Sequence, residues 1–190
     1  MARGTDSDSR IRYLDGDAER RALIADIQAV RRQVIAFAQG VPQEAWYEPR
    51  YHGWSLAAML AHLHLMDNLT LMQIKLALIG IGIGFTAGQL NRFNDACARW
   101  FQRRLVTTTL RGIEKNERRI ADFILNLPID RFTRTVYFPP TGERLTVERA
   151  MQQYFLFHWQ HHLATLTEPP GGDDHDDFFY EPPPSGVGLV

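Results

Sequence analysis

The chain has 190 residues, of which 45% are hydrophobic and 23% charged, and its formal net charge is -1 at pH 7. This length and composition are those of one globular domain with its own core, and the near-zero charge argues against a strong overall attraction to nucleic acid or acidic lipid. The single cysteine, Cys97, excludes an intrachain disulfide, argues against a cysteine-ligated zinc site and fits a reducing compartment.

The N-terminal segment, residues 1–15, carries charges where a secretory signal would need an apolar run. We therefore expect a flexible arm and a cytoplasmic protein. Residues 69–85 are the most apolar stretch, but Gln73, Lys75 and three closely spaced glycines interrupt it. This pattern favours a buried helix that runs into a loop over a membrane span.

Apolar residues at helical spacing predict a first helix over residues 17–39, which Gly40 and Pro42 end. Residues 41–54 contain two prolines and several aromatic side chains, and we expect them to form a packed loop. Ser55 can then cap a second helix that continues to the glycines.

Two amphipathic segments follow, over residues 86–105 and 107–128. The second is expected to be capped among its threonines and to stop at Pro128. Gly112 and the threonines leave open whether the two segments are one kinked helix.

Residues 131–145 alternate weakly around a Pro-Pro-Thr-Gly turn, which predicts a short hairpin or extended excursion. Thr146 can cap a last helix. The tail, residues 168–190, is rich in Pro, Gly and Asp and is expected to be disordered. Four main helices therefore predict an all-α four-helix bundle over residues 16–167.

The last predicted helix contains FHWQHHLATL, residues 157–166, with three histidines in five positions. His158 and His162 are separated by about 40° around a helix axis and point the same way. Apolar neighbours on that side predict that both face the core. Two imidazoles at this spacing can bind one metal ion, and a hydrogen-bonded pair without metal is the alternative. His161 lies to one side of His158 on the helix, and it is interpreted as a residue at the boundary of the core or as a side chain that supports the two candidate ligands.

The second helix contributes His62 and His64, which cannot both face the interior of a bundle. His62 lies on an apolar stripe with Met66, whereas His64 shares its side with Asp67 and Asn68, which suggests the wetter face. His62 is therefore predicted to meet the pair from the last helix. A shared divalent ion would satisfy three buried imidazoles that would otherwise be costly to bury.

The other candidate groups carry less information. His52 and His175 are expected on the surface, and Cys97 is interpreted as a packed small hydrophobe. No catalytic residue is assigned. Side chains that could line a pocket, at positions that the spacing does not fix, are Asn91, Arg92, Asn94 and Tyr154.

GWSLAAMLAHLHLMDN, residues 53–68, resembles the second-helix signature of the DinB/YfiT-like superfamily, in which a Trp-Ser pair precedes a ligand histidine followed by leucine. FHWQHHLATL is similar to the superfamily's last-helix motif, where two ligands stand four residues apart ahead of a small apolar run. The middle of the chain, an Asn-bearing segment before a long helix that ends in Leu-Pro, fits as well. The resemblance covers about residues 15–167.

The resemblance implies a four-helix bundle, often dimeric, that holds a divalent metal through His62, His158 and His162. These are the same three histidines that the facing of the helices selects. Zn, Ni and Fe all suit imidazole ligands. The acidic tail is not part of the family pattern.

The implied function is a metal-dependent enzyme, either a transferase that can use a low-molecular-weight thiol or a hydrolase, acting on a small electrophilic substrate. The expected partners are that substrate, a thiol and a second copy of the chain, with no nucleic acid and no membrane. The alternatives are a non-catalytic, stress-protective bundle that binds a metal or another ligand, and a metal-free histidine-rich core.

Overall fold

A computed structural model describes residues 11–82, 84 and 86–168 of the chain. The predictions for residues 1–10 and for the tail from residue 169 lie outside the described residues, as do the side chains of Asn91 and Asn94. Within the described ranges, every helix is too short or too polar to cross a membrane.

The chain forms the predicted four-helix bundle, built from three long helices and a final composite helix. The helices are α1 (Asp17–Gly40), α2 (Leu56–Leu78), α3 (Ala87–Phe101), α4 (Val106–Asn126), α5 (Ile129–Phe132), α6 (Val147–Gln152) and α7 (His158–Thr167). A π-helical turn, Gln153–Phe157, joins α6 to α7. We call α6, the π turn and α7 together the final helix.

The starts of α2 and of the final helix follow the predicted capping. The Ser55 hydroxyl accepts a hydrogen bond from the Ala58 amide at 3.1 Å, and the Thr146 hydroxyl accepts one from the Arg149 amide at 3.4 Å. These bonds satisfy amides that a helix leaves without partners in its first turn. Both predicted caps are confirmed.

Two short hairpins flank the helices. Residues 41–54 are more ordered than the predicted loop, with a 3-10 turn at Gln43–Tyr47 and strands β1 (Pro49–Tyr51) and β2 (Trp54–Ser55), which pair antiparallel. The turn between these strands is His52–Gly53, and both residues have positive φ, 46° and 81°. A two-residue hairpin turn favours this conformation because it matches the twist of the strands.

The second hairpin confirms the extended excursion predicted over residues 131–145. Strands β3 (Thr135–Phe138) and β4 (Glu143–Thr146) pair antiparallel. Gly142 in the connecting turn has a φ of 72°, a conformation that glycine adopts without steric cost. The Pro-Pro-Thr-Gly sequence therefore forms the turn of this hairpin, with glycine at the position of positive φ.

The two amphipathic segments in the middle are separate helices. Thr86 caps α3 with a reciprocal bond to Gln89, but α4 begins after Leu105 without a side-chain cap. The predicted threonine cap of α4 is wrong, because the Thr109 hydroxyl instead donates to the Leu105 carbonyl at 3.2 Å. At the junction, the Gln102 side chain accepts a hydrogen bond from the Ser55 amide at 3.2 Å, which ties this turn to the first hairpin.

The core lies between α1, α2, α4 and the final helix. Residue 14, at the end of the predicted N-terminal arm, is also packed into it, and its amide donates to the Glu148 carboxylate at 3.1 Å. Fully buried apolar residues of this core include Leu14, Leu23, Ile27, Met59, Leu60, Leu63, Ile74, Phe155 and Trp159.

Candidate metal centre

His62 lies near the start of α2 with only 1% of its surface exposed. Trp54, directly before the helix cap Ser55, packs edge-on against the His62 ring with 5.4 Å between ring centroids. The Trp-Ser pair of the sequence motif therefore has two physical roles. Ser55 starts the helix that carries the histidine, and Trp54 covers its ring.

His158 and His162 lie one turn apart on α7. His162 is completely buried, whereas His158 is half-buried. Their rings meet at 4.5 Å between centroids, and each lies 5.2 Å from the ring of His62. The structure thus brings together the three histidines that the sequence selected.

The Nε2 atoms of the three rings converge on one point. His158 Nε2 lies 3.3 Å from His62 Nε2 and 2.9 Å from His162 Nε2. All three ligand atoms lie within 4.8 Å of one another. The ring nitrogens, rather than the ring edges, therefore face the shared space.

This spacing fits a first-row divalent ion. With metal–nitrogen bonds of about 2.0–2.1 Å, two ligands at a tetrahedral angle stand about 3.3 Å apart, and two at a right angle about 2.9 Å. The observed separations of 3.3 and 2.9 Å match these values. The donor set also suits such an ion, because neutral imidazole is a common ligand for zinc, nickel and iron.

A metal-free network of hydrogen bonds accounts for the same distances less well. A ring nitrogen carries either one proton or one lone pair, so His158 Nε2 can form one good hydrogen bond, although two Nε2 atoms face it. The network would therefore leave one of the two close contacts of His158 Nε2 without a hydrogen bond. A shared cation would use all three lone pairs.

Burial keeps these imidazoles neutral. Desolvation lowers the pKa of His62 from its ordinary value of 6.5 to about 4. Desolvation, and then the proximity of the other histidines, lowers the pKa of His158 and of His162 well below the ordinary value. The neutral form is the one that can bind a metal.

The lowered pKa values predict how the stability of the metal-free protein depends on pH. The unfolded chain binds protons on these histidines below pH 6.5, whereas the folded chain resists protonation of His62 until about pH 4. The contribution of the neutral histidines to the free energy of unfolding is therefore fully present above pH 6.5, and it is lost as the pH falls toward 4. His62 alone is expected to contribute on the order of 3 kcal/mol over this range.

Urea unfolding between pH 7.5 and pH 4.5 in the presence of a chelator measures this dependence. The variant His62→Gln is the matched comparison, and it should show a shallower decline than the wild type. Parallel profiles for the two proteins would contradict a neutral, buried His62.

The predicted wetter face of α2 is wrong for Asp67. Asp67 has only 2% of its surface exposed, and its carboxylate accepts hydrogen bonds from Arg31 at 2.8 and 3.0 Å. His64 is half-buried and contacts Asn68 at 3.3 Å, and its ring lies away from the three-histidine group. The buried partner of Asp67 lies on another helix, which the spacing within α2 does not reveal.

The remaining candidates lie outside the centre. His161 is exposed at its rim, as expected of a boundary residue, with its ring 5.4 Å from the ring of His162. His52 is exposed, with Nε2 4.0 Å from the Glu168 carboxylate. Cys97 is buried, as predicted for a packed hydrophobe, and burial raises the pKa of its thiol. Tyr154 packs edge-on against Phe138 in the core.

Sequence reasoning missed Arg31, although a signal was present. This arginine lies at helical spacing on the apolar stripe of α1, between Ile27 and Val34. A single charge on such a stripe indicates a buried partner. The structure shows the partner to be Asp67, with Arg31 itself completely buried.

Comparison with known sequences finds no matching family model and no matching curated protein. Comparison with solved structures finds similar folds. YfiT from Bacillus subtilis, described as a probable metal-dependent hydrolase with an unusual four-helix bundle topology, superposes with a TM-score of 0.65 at 18% identity, over 80% of this chain and 86% of YfiT.

A second similar structure is the colibactin self-resistance protein ClbS, solved in complex with double-stranded DNA. It superposes with a TM-score of 0.64 at 16% identity, over 77% of this chain and 92% of ClbS. At these identities the likeness concerns the fold. The chain has the DinB/YfiT-like four-helix-bundle fold that its two helix motifs resemble.

Proposed function

We propose that the chain is a metal-dependent enzyme that uses His62, His158 and His162 to hold a divalent ion and acts on a small electrophilic substrate. The observation that carries this proposal is the convergence of three Nε2 atoms, with that of His158 lying 2.9 Å from His162 Nε2 and 3.3 Å from His62 Nε2. The description of YfiT as a probable metal-dependent hydrolase supports it.

The number of ligands favours catalysis over a structural metal. Among the described residues, the group contains three histidines and no fourth His, Cys, Asp or Glu. Structural zinc sites are usually closed by four protein ligands, whereas catalytic sites keep a position open for water or substrate. A three-histidine centre therefore leaves room for a reactant.

The chain's own residues would bind the ion and shield it. A divalent ion held there supplies Lewis acidity and lowers the pKa of a water or thiol that it binds. The three imidazoles are neutral and leave the positive charge uncompensated, which favours an anionic nucleophile. Trp54 packs against the ring of His62. Zn, Ni and Fe remain the candidate ions, because imidazole suits all three.

The second candidate function is a non-catalytic, stress-protective bundle that binds a metal or another ligand. The similarity to ClbS, described as a self-resistance protein, favours it. The two functions differ in turnover, because a protective binder would bind its ligand once and release no product.

Two expectations about partners stay predictions. From its net charge of -1, this chain is expected not to bind nucleic acid. ClbS, which has a similar fold, was solved in complex with double-stranded DNA, and this argues against that expectation. Fluorescence anisotropy with a labelled DNA duplex, at two salt concentrations, tests that expectation. Sedimentation velocity tests the expected homodimer.

The experiment that tests the proposed function combines metal loading with turnover. Metal-free protein is loaded in turn with Zn, Ni or Fe(II) and mixed with an activated ester, or with a chloronitroaromatic electrophile and a panel of low-molecular-weight thiols. We expect product to form faster than with His158→Ala, in proportion to bound metal. Product without a thiol indicates hydrolysis, and product only with a thiol indicates transfer.

The outcomes separate the candidate functions. Stoichiometric metal without turnover in either assay would favour the non-catalytic bundle. No retained metal, in the wild type as in His158→Ala, would remove the enzyme and the metal-binding bundle, and would leave a bundle that binds another ligand or a histidine-rich core.

A further inference from the structure

The orientation of two of the candidate ligands, His62 and His158, is not fixed in the usual way. A metal-bound histidine normally donates its second ring N–H to a carboxylate or carbonyl, which fixes the ring. Here the Nδ1 atoms of His62 and His158 are buried and form no hydrogen bond with any described residue. The direction of these rings must therefore come from packing, such as the contact of Trp54 with the His62 ring, and from the placement of the helices that carry them.

A buried cluster next to the centre joins those helices, and we call Arg31, Asp67 and Trp159 the clamp. The Arg31 guanidinium donates to both carboxylate oxygens of Asp67 at 2.8 and 3.0 Å, and Trp159 Nε1 donates to Asp67 Oδ1 at 3.1 Å. The guanidinium also stacks on the Trp159 ring, 4.3 Å from its centroid. The clamp thus connects α1, α2 and α7.

The clamp also holds the π turn that comes directly before His158. The His158 amide donates to the Gln153 carbonyl, five residues back, instead of four as in an α-helix. Arg31 Nη1 donates to the carbonyl of Phe155 within this turn at 2.9 Å. A π turn holds one residue more than an α turn, so α7 is rotated relative to α6. This rotation decides which side chains of α7 face α2.

We propose that the clamp is the positioning element of the metal centre: it sets the rotation and depth of α7 so that the His158 and His162 nitrogens meet that of His62. Asp67 shares α2 with His62, and Trp159 adjoins His158 in sequence, so the clamp links the two ligand-bearing helices. This inference rests on the proposed metal site.

Stability alone gives little reason for the clamp. Replacing a buried ion pair with apolar side chains of similar volume is often neutral or stabilising, because two charges no longer need to leave water. The positioning role, in contrast, requires directed hydrogen bonds, which apolar side chains cannot form. The two roles therefore predict different behaviour for one and the same variant.

The test is the double variant Arg31→Met/Asp67→Leu, which removes both charges and leaves the net charge unchanged. It should fold with a Tm near that of the wild type, because the gain from removing two buried charges is offset by the Trp159 N–H and the Phe155 carbonyl, which lose their partners. Its affinity for Co²⁺, measured by competition with a chelator, should fall roughly tenfold or more, the size of effect seen when residues that orient metal ligands are mutated. The visible spectrum of bound Co²⁺, which reports coordination geometry, should also change.

Trp159→Phe is the milder variant, because it removes the Nε1–H donor and keeps an aromatic ring in place. It should weaken Co²⁺ binding less than the double variant does. Ile120→Val, in the core on α4, is the control for a small loss of stability, and it should bind Co²⁺ like the wild type.

A second readout needs no metal. In the metal-free protein, the ring ¹H–¹⁵N signals of His158 and His162 should shift in the double variant, while those of exposed His52 stay in place. Wild-type protein that fails to bind Co²⁺ would refute the proposed function, and the ring signals would still decide the positioning. Unchanged ring signals, or unchanged Co²⁺ affinity and spectrum in a protein that binds the ion, would overturn the role of the clamp.

Discussion

His162→Ala is expected to abolish stoichiometric metal binding. The substitution removes one of three ligands, and its side chain is the most deeply buried of the set. Mutation of a residue that hydrogen-bonds to a metal ligand already lowers metal affinity by about 10–100-fold. The loss of a ligand itself should therefore exceed that range. Elemental analysis after gel filtration, on protein purified without chelator and supplied with one equivalent of zinc, measures the effect.

The matched control is His161→Ala. This histidine is adjacent in sequence and its ring lies 5.4 Å from that of His162, but it is exposed and outside the three-histidine group. It should retain about the wild-type content of zinc. Equal zinc in the two variants would show that the ion, where present, binds elsewhere.

The loss of metal binding in His162→Ala should also change how the Tm responds to a chelator. A ligand that binds only the folded state at 100 times its Kd stabilises that state by about 2.7 kcal/mol. Chelation should therefore lower the Tm of the wild type and of His161→Ala, and should leave that of His162→Ala unchanged. A chelator that changes none of the three would favour a metal-free core.

Asp67→Ala is expected to destabilise the fold by roughly 3–5 kcal/mol. It leaves the Arg31 guanidinium completely buried without its carboxylate partner, and it also removes the acceptor of the Trp159 N–H. Burial raises the pKa of Asp67 above its ordinary value, although the nearby Arg31 charge lowers it in part. Both side chains of the pair are almost completely buried. Urea unfolding at pH 7.5 gives the free energy directly.

Asp26→Ala is the control for losing an ion pair at the surface. Asp26 pairs with Arg12 at 2.6 Å, but both side chains are more than 40% exposed, at 43% and 42%. Such pairs contribute about 0–1 kcal/mol. Similar losses for Asp67→Ala and Asp26→Ala would mean that the buried pair has no special role in the fold.

Much of the bundle could be predicted from the sequence because its helices carry local signals. The apolar spacing of α1, the Ser55 and Thr146 caps and the Pro-Pro-Thr-Gly turn each act within a few residues, and each agrees with the structure. The convergence of His62, His158 and His162 was also predictable, since in a bundle the inward faces of two helices meet.

What the sequence did not reveal depends on contacts between distant segments. Spacing within α2 predicts a wetter face for Asp67, because its buried partner, Arg31, lies 36 residues away on another helix. The π turn is held by the hydrogen bond from Arg31 on α1 to the Phe155 carbonyl, a contact between distant segments that spacing within the last helix does not show. The first hairpin depends on positive φ at His52, a conformation that is uncommon for residues other than glycine.

X-ray absorption at the zinc K-edge, on protein loaded with one equivalent of zinc, tests the central claim most directly. We predict that zinc remains bound through gel filtration, with three imidazole nitrogens at about 2.0–2.1 Å and at least one further light atom from water or buffer. Zinc that washes out of the protein, or that shows fewer than three imidazole ligands, would contradict the account.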